Sequence, residues 1–228
     1  MTEGSLIRSK RSGPPKQRGF PIAREGYPLI IGCAFVTAIV AVMGLYTLAL
    51  FLLAVTSFVC FFFRDPERVI PEEEDAVVSP ADGKVLAVGV VHENEFAAEK
   101  MLKVSIFMSV FNVHVNRMPD SGRVTDVIYY PGKFFSANLD KASRNNERNA
   151  VSVEISGGRK LIVVQVAGLI ARRIICKIRK GDLLRRGERF GLICFGSRLD
   201  VYLPADTVPA VSAGDKVLAG KSILGHLS

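Results

Sequence analysis

The sequence predicts a mainly β protein, α+β overall: a β-sandwich-like domain preceded by an N-terminal hydrophobic helical membrane anchor. Two observations predict it. The run Leu29–Phe63 contains no charged residue. Beyond about residue 76 the chain breaks into short apolar runs with period-two alternation, separated by Gly and Asp turns. At 228 residues there is room for one substantial domain with an appendage. The formal net charge of +8 asks for an anionic partner, nucleic acid or acidic lipid. Cys33, Cys60, Cys176 and Cys194 have neither metal-ligand nor redox spacing, and read as reduced, buried thiols of a cytoplasm-facing protein. His92, His114 and His226 are the only histidines, which narrows the acid–base chemistry open to the chain.

Residues 1–27 are polar and basic, and Gly13, Pro14 and Pro15 argue against a helix. They read as a cytoplasmic tail lying on anionic headgroups. Residues 28–63 form the anchor. A spanning helix needs about 20 residues; this run is long for one and short for two. Gly44 near its middle favours a tight hairpin of two short helices over one long tilted helix. Basic residues precede the run, and Arg64 and Arg68 follow it, so both flanks are cytoplasmic by the positive-inside rule. That places residues 64–228 on the cytoplasmic side of the cell (inner) membrane.

After the polar linker 64–75, Val77–Val85 reads as two strands about a Pro80–Gly83 turn. Asp82 there is either a turn-former or a catalytic carboxylate. Lys103–Val115 alternates and predicts one strand, bulged near Phe111, with His114 at its end. His114 and Arg117 then stand where the strand runs into a Pro119-terminated loop, a place where polar groups converge on a site. Pro131–Phe134, with Lys133, is a turn. The polar run Asn138–Asn149 is a solvated loop or a substrate loop. Val151–Ile155 and Leu161–Val166 form a hairpin about Ser156–Arg159. In 171–189 the basic residues alternate with Ile174, Ile175 and Ile178, which predicts a strand with one charged face. No aromatic platform accompanies that charge, so it suits anionic lipid better than nucleic acid. The tail from Val211 to Gly225 reads as short strands about Gly214-Asp215.

One stretch carries chemistry of its own. Phe195–Arg198 separates the β-patterned runs Arg189–Cys194 and Leu199–Leu203 and forces a sharp bend. Gly196, without a Cβ, allows strained backbone and close approach to its carbonyl. Ser197 brings a hydroxyl one residue on. This pair suits an N→O acyl shift; a plain turn or bulge is the other reading.

From about Phe61 to its end the chain resembles the pyruvoyl-dependent phosphatidylserine decarboxylases of the short bacterial and archaeal type. The resemblance rests on Phe62–Pro66, Ser79–Val85, Phe111–Pro119, Ala142–Arg148, Gly168–Arg173 and Phe195–Arg198, in that order. It implies autocatalytic cleavage between Gly196 and Ser197 into a large chain 1–196 and a small chain 197–228, which stay together as a heterodimer. Ser197 becomes a covalent pyruvoyl group, the cofactor, which forms a Schiff base with phosphatidylserine. Loss of carbon dioxide then gives phosphatidylethanolamine, with no metal. Asp82 matches the carboxylate that assists processing. His114 matches the histidine that contacts substrate or moves a proton. At Arg117 the long-form enzymes carry a second histidine. Its absence leaves His114 as first candidate to deprotonate Ser197, ahead of His92 and His226. Arg117 and Lys133, with His114, are then the substrate-binding candidates. A higher oligomer is compatible with all of this. The alternative is a non-catalytic, membrane-anchored lipoyl-like carrier or adaptor, which would not cleave itself.

Overall fold

A computed structural model of the chain describes residues 21–92, 95–96, 99–136, 145–169, 173–194 and 196–228. Most of the expected basic tail, most of the polar run from 138, and Phe195 lie outside the described residues.

The uncharged run folds as a helical hairpin. Its helices are α1, Tyr27–Val42, and α2, Tyr46–Phe62. The chain reverses at Met43–Leu45, where the Leu45 amide donates to the Val40 carbonyl. Thr37 and Thr56 meet across the helix pair, hydroxyl to hydroxyl at 3.2 Å. Ile31, Phe35, Phe51 and Leu53 face outward and are exposed. A helix that is apolar all round wants a nonaqueous surrounding. At 1.5 Å per residue each helix is about 25 Å long, close to the roughly 30 Å thickness of a bilayer core. At the foot of the hairpin the two ends are stitched together: the Ala23 amide donates to the Phe63 carbonyl (2.7 Å) and the Asp65 amide to the Pro21 carbonyl (2.6 Å).

The remainder is β structure. In chain order the strands are β1 Ala76–Val78, β2 Gly83–Val91, β3 Met101–Met108, β4 Val115–Arg117, β5 Gly122–Tyr130, β6 Arg148–Ile155, β7 Lys160–Val166, β8 Ile174–Cys176, β9 Leu183–Leu184, β10 Arg189–Ile193, β11 Ser197–Pro204, β12 Val208–Pro209, β13 Lys216–Val217 and β14 Ile223–His226. An eight-stranded antiparallel sheet runs β13-β2-β3-β11-β7-β6-β5-β9, and two three-stranded sheets, β1-β14-β12 and β4-β10-β8, complete the layers. One core joins all three: Val77, Val104, Ile106, Val163, Phe190, Leu199, Val201 and Leu224 pack in a single buried cluster. β11 is central and buried along nearly its whole length. Alternation sends Leu199, Val201 and Leu203 into that cluster and Tyr202 into a second one with Met101, Ile162 and Val164.

Three sequence expectations are corrected. The strand foreseen over Lys103–Val115 stops at Met108. Asn112 Oδ1 accepts from the Ser109 amide (2.9 Å) and hydroxyl (2.8 Å), closing a tight turn at 109–112. His114 therefore precedes a new strand, β4, instead of ending an old one. In the polar run, Asn146, Arg148 and Asn149 are buried. Finally, the basic run 171–189 is not one charged strand face. Arg186 pairs with Asp120, Arg189 with Asp65 and Glu67, and Lys177 with Glu25.

Asp65 ties the hairpin to the β domain. Its carboxylate accepts from Arg117 Nη2 (3.3 Å) and Arg189 Nε (2.6 Å). Asp65 and Arg189 are partly exposed, but Arg117 is buried, and removing its carboxylate partner leaves that charge stranded. Asp65→Ala is expected to destabilise the protein by roughly 3 kcal/mol, read as a lower unfolding midpoint in detergent. Glu67→Ala, whose carboxylate is exposed and pairs with Arg189 at the surface, is expected to cost less than about 1 kcal/mol.

Candidate functional site

The chain changes sheets at Gly196. β10 ends at Ile193 in a three-stranded sheet, and β11 begins at Ser197 in the large one. The link is made by Gly196 at φ +61°, a left-handed conformation that disfavours any side chain. Ser197 stands opposite Met108 in the β11–β3 register. Alternation turns it to the same face as Leu199, into the core, so it is fully buried. Its Oγ has no hydrogen-bond partner among the described residues. An unsatisfied buried hydroxyl costs about 1–3 kcal/mol.

Asp82, Ser197 and the turn leading to His114 gather at one end of the large sheet. Lys84 pairs with Phe107, and Phe107 with Arg198. Gly83 and Asp82 therefore leave β2 at the end where Ser197 enters β11, two strands or roughly 10 Å across. Gly83 lets β2 close on β3 here, since a Cβ would lie 2.2 Å from the Phe107 carbonyl oxygen. Asp82 is nearly fully buried. Its Oδ1 accepts from the Ala219 amide at 2.7 Å, and its Oδ2 from Arg68 Nη2 at 2.9 Å.

At the same sheet end, the 109–112 turn carries the chain from Met108 to His114. The imidazole is fully buried and lies against the Phe62 ring, centroids 4.2 Å apart. Nδ1 is 2.9 Å from the Asn112 carbonyl oxygen. A carbonyl only accepts, so Nδ1 carries the proton and Nε2 offers its lone pair. Nε2 is itself buried without a partner among the described residues. Burial pushes the imidazole pKa down to about 4; the Asn112 carbonyl pulls it up and the Arg64 charge lowers it further. The ring is thus a neutral acceptor at neutral pH. Asn112 and Phe62, which set its tautomer and plane, were not singled out for that role in the sequence.

The other predicted residues lie differently. Arg117 is buried and engaged with Asp65, with the Pro66 carbonyl (3.0 Å) and with the Gly187 carbonyl (3.0 Å). These partners make it a fastener of the anchor. Lys133 is exposed, in a loop held by Asn146, whose Nδ2 donates to the carbonyls of Phe135 (2.8 Å) and Ala167 (2.7 Å). His226 is at the surface on Asp75, at 3.0 Å. A run of buried amides, unmarked in the sequence, links β6, β7 and β4: Asn149 donates to Gln165 (3.0 Å) and Gln165 to Asn116 (2.9 Å). A cleft of about 400 Å³ opens beside the hairpin foot; Ser197, Asp82 and His114 do not line it, and its Glu25 pairs with Lys177, its Asp65 and Glu67 with Arg189.

Comparison with known proteins identifies the family. The phosphatidylserine decarboxylase family model matches residues 55–225. The chain is 53% identical over 212 residues to the phosphatidylserine decarboxylase proenzyme of Geotalea uraniireducens (strain Rf4), covering 93% of this chain and 99% of that one. It is also 53% identical over 212 residues to the proenzyme of Geobacter metallireducens, covering 91% and 97%. With that of Syntrophus aciditrophicus (strain SB) it shares 53% over 206 residues, covering 90% and 96%.

The His114 environment has a consequence for stability. Unfolded, a histidine titrates near 6.5; folded, this one resists protonation down to about 4. Between those values the unfolded chain holds the extra proton, so stability falls as pH drops from about 6.5 to 4, by about 3 kcal/mol, and levels off below. Urea unfolding of the uncleaved Ser197→Ala protein across that range checks this. Adding His114→Gln is expected to flatten the slope there.

Proposed function

Since this chain belongs to the phosphatidylserine decarboxylase family, we propose that it converts phosphatidylserine to phosphatidylethanolamine and carbon dioxide, using a pyruvoyl group made from its own Ser197. The observation that carries this reading is the buried, unpartnered Ser197 hydroxyl directly after a glycine held at positive φ. That is a nucleophile set directly after a peptide carbonyl that no Cβ shields, with no competing hydrogen bond among the described residues to tie it down.

Processing runs through an ester intermediate. Ser197 Oγ adds to the Gly196 carbonyl carbon and loses its proton to a base. The Gly196–Ser197 C–N bond breaks as the amine takes up a proton, leaving an ester. Loss of the Ser197 α-proton expels the Gly196 carboxylate. The dehydroalanine left at 197 tautomerises, takes up water and releases ammonia, which gives the ketone. His114 supports the base role, because its Nε2 is a free acceptor fixed by the Nδ1–H bond to Asn112. Asp82, held by Arg68 and the Ala219 amide, sets a negative charge at the same sheet end. Asp82 is the carboxylate we assign to assisting the cleavage.

In turnover, the ketone supplies a carbonyl to condense with the substrate amine and a sink for the electron pair left by departing carbon dioxide. The protein's part is to hold the headgroup there, exclude water and return a proton. His114 is the residue we assign to the proton, with exposed Lys133 as a contact for the lipid's anionic groups. Arg117 acts by positioning the anchor. The hairpin holds the enzyme in the cell membrane with the β domain on the cytoplasmic side, and the large chain 1–196 and small chain 197–228 remain together. The family assignment replaces the carrier or adaptor reading.

Intact mass measurement tests the proposal. The active protein is expected as two fragments meeting at Gly196/Ser197, the smaller with a ketone-blocked N-terminus. Ser197→Ala is expected to give a single inactive chain of 24.9 kDa. Borohydride reduction in the presence of phosphatidylserine should add the lipid's mass to the small chain alone. Decarboxylation by a protein that remains one chain would sink the proposal. His114→Ala is expected to slow cleavage by about a hundredfold or more, followed as loss of the uncut band with time.

A further inference from the structure

Phe111 is two-thirds exposed, at 66%, on a turn that is otherwise tightly satisfied. The turn's polar groups bond inward, through Ser109 and Asn112. Its one large apolar side chain faces out, and that side chain leans on the hairpin. The Phe111 ring meets Phe58 edge to face, centroids 6.4 Å apart. The Phe111 carbonyl accepts from Arg64 Nη2 at 2.7 Å, and the Arg64 guanidinium lies over Phe61 with 3.8 Å to the ring centroid. Phe58 and Phe61 are themselves exposed and lie in the last turns of α2, about 6 Å or less from its end. Phe58, Phe61 and Phe111 thus form one apolar patch, continuous with the outward face of the hairpin. A cation sits at its edge, as at the level of lipid headgroups.

We infer that Phe111 is a membrane-contacting wedge: the 109–112 turn sits in the interfacial layer of the bilayer that holds the hairpin, with Phe111 among the acyl chains. This rests on the reading of the hairpin as a membrane anchor. The occupant follows from continuity, since whatever covers the exposed face of α2 near Phe58 also covers Phe111. The placement also concerns the substrate. Met108, which faces Ser197, is three residues before Phe111, and His114 is three residues after it. A phospholipid whose chains flank Phe111 has its headgroup at the base of the turn, between the two groups that are to act on it. The enzyme would then take its lipid sideways from the bilayer.

The chain has no tryptophan, so Phe111→Trp introduces a single tryptophan, excited selectively over the five tyrosines at the red edge of the absorption band. The protein used is the full chain with Ser197→Ala, which separates the readout from processing and turnover. It is reconstituted into phosphatidylcholine–phosphatidylglycerol vesicles with or without lipids brominated on the acyl chains. A second protein carries Tyr46→Trp at the exposed tip of the hairpin. Blue-shifted emission and quenching of about twofold or more at both positions are expected for an indole buried in the interfacial layer. Quenching at 46 without quenching at 111 overturns the wedge and leaves the anchor standing. Quenching at neither overturns both. In the processed enzyme, Phe111→Ser is expected to lower turnover of long-chain phosphatidylserine in vesicles relative to a short-chain, monomerically dispersed form by about tenfold. An unchanged ratio counts against the wedge, whereas an unmodified enzyme that neither cleaves nor decarboxylates counts against the proposed function instead.

Discussion

The exit of the hairpin, Phe62–Pro66, is the constraint on which the rest of the site depends. Each residue of this segment is spoken for. Phe62 covers the His114 ring, and Phe63 packs in the cluster with Val113, Val115 and Leu192. Arg64 holds the Phe111 carbonyl. Asp65 joins two arginines, and the Pro66 carbonyl takes one of them as well. Arg117 is buried, and a buried guanidinium is tolerable only with its charge met. The domain therefore cannot keep Arg117 where it is without the Asp65 that leads out of α2. Anchor and site are bound by the same carboxylate, so the depth of the hairpin in a bilayer would fix the height of the site above it.

The energetic cost of this arrangement falls on two atoms. Ser197 Oγ and His114 Nε2 are both buried, and both lack partners among the described residues. Native proteins leave few such atoms, and each calls for an explanation. Satisfying either with a structural hydrogen bond would recover about 1–3 kcal/mol. It would also quench the nucleophile or the base of the proposed processing. The positive φ at Gly196 carries no such cost, since glycine takes it freely; it is the bend that lets one chain leave a three-stranded sheet and enter the large one within a few residues. Self-cleavage as proposed would happen once in the life of the protein and could draw on stability in this way, because the folded state need only outlast it.

Much of this was legible in the sequence, and the failures have physical causes. The hairpin followed from an uncharged run of the wrong length for one helix, broken at Gly44. The β6–β7 hairpin followed from alternation about Ser156–Arg159, and the bend at Gly196 from two apolar runs meeting there. The end of β3 was hidden because Val110, Phe111 and Val113 keep the apolar texture going after Asn112 has already closed the turn. Nothing local distinguishes a phenylalanine that packs under a strand from one left out for another phase. Arg117 looked like a ligand for an anion because its anion, Asp65, is far away in sequence. The amide run Asn149–Gln165–Asn116 was silent for the same reason: its members come from three strands, and only the register brings them together.

Cleavage at Gly196 would cut the chain without freeing the smaller piece. β11 lies between β3 and β7 and is paired along its length with β3. Farther on, β14 lies between β1 and β12, Leu227 donates to the Asp75 carbonyl at 2.9 Å, and the Ser228 backbone oxygen accepts from Arg159. The small chain thus spans a central strand of the large sheet and the middle of another. Withdrawing it would expose Leu199, Val201, Leu203 and Leu224 to water, at roughly 1.5–3 kcal/mol for each side chain. A single peptide bond contributes nothing comparable. What such a cut would release is the covalent link at Gly196 between the two sheets. The end at Gly196 can then relax away from residue 197 while β11 stays in place, which opens room at the strand's start without loosening the core beneath it.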